Sequence, residues 1–233
     1  MNAYLGEFLG TMILIMFGAG VGASINLKKA YAQGSGWVMI AFGWGFAVML
    51  GVYTAGYFGA PGHLNPALTI AFAAGGLIKW SIVPGFVLAQ VAGAFLGAAI
   101  TVLHFYPHFK ITKKDEGNSV AIFATVPSIE NQTFNFISEV IATFAFTLCL
   151  LTLGDFTAGL KPLIAGFLIA AIGFSFGSTT GYAINPARDF GPRFAYAVLP
   201  IPNKGSANWS YAWIPIVGPI IGAWLATILV GLI

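Results

Sequence analysis

The sequence predicts an all-α membrane protein with six transmembrane helices and two re-entrant half-helices, folded as an inverted 3+3 repeat. Three observations carry this. Of 233 residues, 58% are hydrophobic and 7% charged, with a mean hydropathy of +0.86; a soluble domain carries about 25% charged residues. The tripeptide Asn-Pro-Ala occurs twice, at Asn65-Pro66-Ala67 and Asn185-Pro186-Ala187, each time inside an apolar stretch. The two halves also echo each other around an acidic residue: Gly6-Glu7-Phe8-Leu9-Gly10-Thr11 against Ser138-Glu139-Val140-Ile141-Ala142-Thr143.

The first apolar run, Ala3 to Ile25, has no basic region before it and contains Glu7, so it reads as a retained span rather than a cleaved leader. Further spans follow at about Gly36–Tyr57, Ile82–Phe105, Phe134–Leu153, Leu163–Phe176 and Trp209–Ile233, near the roughly 20 residues that a bilayer requires. Two runs are too short to cross: Pro66 to about Leu77 and Pro186 to about Val198. As helices of roughly 12 residues they reach about 18 Å into a core about 30 Å thick. One entering from each side would meet the other near the midplane. Each half therefore reads as acidic helix, second helix, Gly-rich stretch, half-helix and third helix. Three spans per half is an odd number, which inverts the second half. The whole chain, 1–233, is one channel domain, with repeats at about 1–108 and 134–233. They are joined by 109–133, read as a solvated polar loop because it carries Lys110, Lys113, Lys114, Asp115, Glu116 and Glu130. Gly6-x3-Gly10, Gly93-x3-Gly97 and Gly218-x3-Gly222 permit close helix packing.

The net charge of +3 is spread over loops and makes no nucleic-acid footprint. The lone Cys149 excludes an intramolecular disulfide and a multi-Cys metal site. No metal site, cofactor, nucleophile–base motif or other catalytic group is expected. Lysine placement favours an outside N-terminus, because Lys28, Lys29, Lys110, Lys113, Lys114 and Lys204 share one side, against Lys79 and Lys161 on the other.

Asn is a preferred N-cap and Pro is favoured at the first helical position, so Asn-Pro-Ala reads as a helix start. Each such end carries roughly half a positive charge. Two ends facing one narrow file would oppose cations, protons included, while the freed amide NH2 of Asn65 and Asn185 would serve a passing oxygen. The stretches before each Asn cannot easily stay helical. Their carbonyls, at Gly62, His63 and Leu64 and at Gly181, Tyr182, Ala183 and Ile184, would form an acceptor ladder lining a wet path. Arg188 lies three residues after Asn185, and an arginine at membrane depth is a functional hypothesis by default.

The segments Gly62-His63-Leu64-Asn65-Pro66-Ala67 and Gly181-Tyr182-Ala183-Ile184-Asn185-Pro186-Ala187-Arg188-Asp189-Phe190-Gly191-Pro192-Arg193 carry a resemblance to the aquaporin family. It covers essentially the whole chain and points to the aquaglyceroporin, or glycerol facilitator, branch, which Asp189, Arg193 and Pro215 also match. The resemblance implies a homotetramer with one pore per subunit, both termini cytoplasmic, in the plasma membrane. It implies a selectivity filter of Trp44, Gly173, Tyr182 and Arg188: an apolar corner from Trp44 and Tyr182, donors from Arg188, and space at Gly173. Tyr182 replaces the commoner Phe, and its hydroxyl would narrow the opening or add a hydrogen bond. Glu7 and Glu139 are implied to accept backbone N–H groups from the re-entrant loops, with Asp189 beside them as loop support. His63 is read as offering its carbonyl to the pore with its ring bonded behind. The function implied is passive passage of glycerol, water and similar small neutral solutes across the bilayer, with ions excluded. The alternatives are a channel for protonated lactic acid, urea or dihydroxyacetone, or a proton-coupled transporter using Glu7 and Glu139.

Overall fold

The computed structural model describes residues 2–116, 119–157 and 159–231. Gly117 and Asn118, within the stretch read as a loop, lie outside the described residues, as do Ala158 and the repeat ends Met1, Leu232 and Ile233. The elements are α1 (Ala3–Asn26), α2 (Trp37–Tyr57), α3 (Pro66–Ala74), α4 (Val83–His104), α5 (Tyr106–Ile111), α6 (Val120–Phe123), α7 (Gln132–Thr152), α8 (Lys161–Thr180), α9 (Pro186–Val198) and α10 (Ile214–Gly231). A single turn of 3-10 helix, Trp80–Ile82, leads into α4. Among the described residues there is no strand. Helices α1, α2, α4, α7, α8 and α10 are long and apolar enough to cross a membrane.

The helix ends have local causes. Asn131 caps α7 by accepting from Phe134 N at 3.2 Å. α10 begins at Ile214, later than the apolar run, because Trp209–Trp213 form turns and Pro215 suits a helix start. α3 is shorter than expected, nine residues. Gly76 turns left-handed with φ 74° and lets Leu77 N donate back to Phe72 O at 2.8 Å, a Schellman stop.

Packing follows the inverted repeat. In the first half α1 packs on α2 and α4; in the second α7 packs on α8 and α10. The halves join through α2 on α8, α4 on α9 and α3 on α10, so each half-helix is held by the last helix of the opposite half. Small residues set the separations. A Cβ on Gly10 or Gly51 would sit 2.7 Å from the other's carbonyl oxygen, and Gly45 and Gly166 face each other at 2.6–2.7 Å. Without a hydrophobic drive between helices in lipid, such close backbone approach supplies the packing.

The stretch 109–133 differs from a solvated loop. Phe109, Ile122, Phe123 and Ala124 are among the most buried residues of the chain. α6 packs on α1 and α9, and Phe123 sits between Phe109 and Tyr196 with ring centroids 5.8 and 5.6 Å away. The charged residues of the stretch stay outside: the exposed Glu116 pairs with the half-buried Lys28 at 2.6 Å. Six crossings put both chain ends on one face, which also carries Lys79 and Lys161. The opposite, lysine-rich face carries the other six lysines and the 109–133 stretch.

Candidate functional site

Both half-helices begin at an Asn-Pro pair, and the two asparagines do the same work. Asn65 Oδ1 accepts from Ala67 N at 2.9 Å, and Asn185 Oδ1 accepts from Ala187 N and Arg188 N at 3.0 and 3.2 Å. The amide nitrogens reach across the repeat. Asn65 Nδ2 donates to Ile184 O at 2.9 Å, and Asn185 Nδ2 donates to Leu64 O at 2.8 Å. The NH2 groups are therefore only half free, in contrast to the sequence expectation. One hydrogen of each stitches the two loops together, and an amide nitrogen carries two. The second is left for a passing oxygen, and both asparagines line the same narrow cavity.

The loops ahead of them are held in sparsely populated backbone conformations. Gly62 and Gly181 have φ 72° and 79°, and Leu64, Tyr182 and Ile184 have φ 51°, 37° and 44°. Left-handed non-glycine residues persist only where the surroundings over-determine them. Two buried carboxylates supply that restraint. Glu7 accepts from His63 N and Leu64 N at 2.9 and 2.8 Å, and Glu139 accepts from Ala183 N and Ile184 N, both at 2.9 Å. Gln90 adds a 2.8 Å bond to Glu7, and Thr180 a 2.6 Å bond to Glu139. With the N–H groups drawn back, the carbonyls face the other way. Those of Gly62, His63, Gly181, Tyr182 and Ala183 accept no hydrogen bond among the described residues. His63 Nδ1 is bonded behind to Thr69 Oγ1 at 3.1 Å.

Trp44, Tyr182 and Arg188 converge. The Arg188 guanidinium lies 3.8 Å over the Trp44 ring, a cation–π contact. These three residues line both a wide vestibule of about 630 Å³ on the lysine-rich face and a narrow cavity of about 40 Å³ that continues to Asn65 and Asn185. They are the neck between the two. Leu14, Val48, Phe146 and Ile169 give the narrow part an apolar wall.

Gly173 sits behind the neck rather than on it. A Cβ there would lie 2.9 Å from both Cζ and Oη of Tyr182 and 3.0 Å from Ala41 Cβ. The space left by the missing side chain is filled by the tyrosine ring, which also stands edge-on to Trp37, with centroids 5.9 Å apart. Tyr182 Oη is buried without a hydrogen-bond partner among the described residues. Contrary to expectation, the hydroxyl neither narrows the path nor offers it a hydrogen bond; it points into the α2–α8 seam.

Asp189 supports a different segment from Glu7 and Glu139. Its carboxylate accepts from Thr125 N and Thr125 Oγ1, both at 2.7 Å, and pairs with Arg193, which is fully buried. Arg193 also donates to the carbonyls of Thr125 and Ala207 at 2.8 and 2.7 Å. Asp189 and Arg193 thus clip the α6 segment to the start of α9. That clip places Phe123 O 3.0 Å from Arg188 Nη1, fixing one side of the guanidinium. Phe123 and Thr125 were absent from the sequence reading. The apolar run Val120–Val126 inside an otherwise charged stretch was the available signal.

A sequence profile described as "Major intrinsic protein" matches residues 1–230. The chain belongs to the major intrinsic protein family. Among its relatives, glycerol uptake facilitator protein 2 of Lactiplantibacillus plantarum is 56% identical over 97% of both chains. The glycerol uptake facilitator protein of Bacillus subtilis is 55% identical over 95% of this chain and 81% of that one. The X-ray structure of the aquaglyceroporin from Plasmodium falciparum matches with a TM-score of 0.85 at 27% identity, over 98% of this chain and 94% of that one. This major intrinsic protein is a multi-pass membrane channel of aquaporin fold, not an enzyme.

Proposed function

We propose that this chain passes glycerol, similar small neutral solutes and water down their gradients while excluding ions and protons. The observation that carries the solute choice is the neck. Trp44 and Tyr182 give a carbon backbone an apolar corner, and the Arg188 guanidinium gives hydroxyls their donors. The named relatives support the same substrate class. The two half-helix starts at Asn65 and Asn185 would supply the barrier to cations. Glu7 and Glu139 line neither cavity and spend their oxygens on loop N–H groups, which favours a passive channel over a proton-coupled carrier. In this reading four copies assemble in the plasma membrane, with both termini cytoplasmic and the lysine-rich face outside.

Stopped-flow shrink–swell of proteoliposomes tests it. Glycerol flux should be non-saturating and clearly above that of empty liposomes; equal rates would sink the proposal. Asn185→Asp should let cations leak, because the carboxylate offsets the helix-end potential and loses the donor to Leu64 O. Cation conductance equal to wild type would count against the electrostatic barrier.

A further inference from the structure

The vestibule is larger than a glycerol path needs. At about 630 Å³, it falls within the ~300–1,000 Å³ of ordinary small-molecule sites. Its walls include the apolar side chains of Trp37, Ile40 and Val126, and its floor is the neck of Trp44, Tyr182 and Arg188.

Arg188 is the unusual part of that floor. The chain's other arginine, Arg193, is paired with Asp189. Arg188 has no carboxylate partner among the described residues, and its one hydrogen bond goes to the neutral Phe123 carbonyl. The acidic groups nearest it are already engaged: Asp189 by Arg193 and Thr125, Glu139 by Thr180, Ala183 and Ile184. Nε and Nη2 of Arg188 donate to nothing among the described residues, yet they are not sealed from solvent. The residue is 7% exposed and lies in the first turn of α9, where the helix end adds positive potential. The face onto which the vestibule opens carries six lysines against three acidic residues, Asp115, Glu116 and Glu130. Such a field draws anions toward the mouth.

We infer that the vestibule is a binding site for small monocarboxylates with an apolar body, which dock the carboxylate on Arg188 and the body on the Trp37–Ile40–Val126 wall. A guanidinium offers the carboxylate a fork of parallel donors. The ion does not continue through the channel. The next cavity is only about 40 Å³ and has an apolar wall, and stripping a carboxylate of water there is very costly. The bound acid therefore plugs the neck. This rests on the proposed neck but adds a ligand that is not transported.

Phenylacetate is the probe, with phenylacetamide as its uncharged isostere and acetate as the charge without the body. Each is pre-equilibrated across wild-type proteoliposomes at about pH 7.5, where the acid is ionised. A ligand of this size with ordinary efficiency per atom binds with a dissociation constant of about 1 mM. At about 10 mM, phenylacetate should therefore slow glycerol flux about tenfold, with the amide and acetate changing it less than about twofold. Val126→Gln should retain glycerol flux and weaken the block several-fold. Unchanged flux with phenylacetate, or equal block by phenylacetamide, overturns the proposal and leaves the glycerol channel standing. Tryptophan fluorescence of the protein in detergent gives a second readout that needs no transport. A saturable change with phenylacetate and none with the amide supports the site, and no saturable change refutes it. Absence of glycerol flux without any additive would instead refute the channel reading alone.

Discussion

Gly173→Ala tests the architecture of the neck from behind. The added Cβ would lie 2.9 Å from Tyr182 Cζ and Oη and 3.0 Å from Ala41 Cβ. Carbon atoms rest at about 3.5–4.0 Å, so the tyrosine ring must retreat by roughly 0.6–1 Å. The α2–α8 seam is closed on that side by Ala41 and Trp37, which leaves the neck as the direction of escape. Overpacking typically costs about 1–3 kcal/mol. If 1–2 kcal/mol of that is felt by a solute squeezing past the displaced ring, glycerol permeability falls about 5- to 30-fold at ~1.4 kcal/mol per decade. Water, which is thinner, should lose less than about threefold. The assay is stopped-flow light scattering on matched proteoliposomes, normalised to the amount of folded protein. Adding Tyr182→Phe removes the contact at Oη but not the one at Cζ, so it should restore only part of the flux. Wild-type glycerol permeability in Gly173→Ala would refute the claim that this glycine makes room for the ring rather than for the solute.

Tyr182→Phe alone should leave the glycerol-to-water ratio within about twofold of wild type. By deleting a buried, unpartnered hydroxyl, it should hold or raise thermal stability by up to about 1 kcal/mol, read as a melting shift in detergent. Asp189→Asn removes the counter-ion of the buried Arg193. Breaking a buried pair on one side costs about 3–5 kcal/mol, so the variant should melt well below wild type. On the exposed rim, the Lys28 hydrogen bond is the main cause that holds the Glu116 carboxyl below its ordinary range, with the Lys113 backbone N–H second. A carboxylate lowered by folding stabilises above its unfolded pKa and loses that contribution as pH falls through its folded one. Lys28→Gln should therefore lower the melting temperature slightly at neutral pH and converge with wild type as pH falls below about 4.5, which flattens the acid limb of the profile.

Local chemistry explains what could be read in the chain. Asn185-Pro186 is a cap and a first-turn proline in any context, and α9 runs Pro186–Val198 as its sequence suggests. α3 shows the same cap but ends early, because a Gly75-Gly76 stop overrides the apolar run that continues to Leu77. The position of Glu7 and Glu139 within spans marked them, and their loop N–H partners fit the resemblance that named them. The α6 segment was harder. Val120–Val126 is short and lies between Lys113–Glu116 and Glu130, so the charged flanks dominate any reading of the stretch. Its burial depends on Asp189, 64 positions from Thr125, and on Arg188, 65 positions from Phe123. Tyr182 was misjudged for a related reason. Residue type announced a hydroxyl, but only the left-handed backbone at φ 37° and the vacancy at Gly173 turn that hydroxyl away from the path.

The crossed amides of Asn65 and Asn185 bear on biogenesis. Each donates to a carbonyl of the opposite loop, across 119 and 121 positions of sequence. While the first half alone is in the bilayer, the Asn65 amide has no Ile184 carbonyl to meet, and the Leu64 carbonyl has no donor. Unmet polar groups in hydrocarbon are costly. The early loop therefore needs water for these groups until the second half arrives. The permeation path is thus a joint product of the two halves, since neither loop can satisfy these groups before the other is in place.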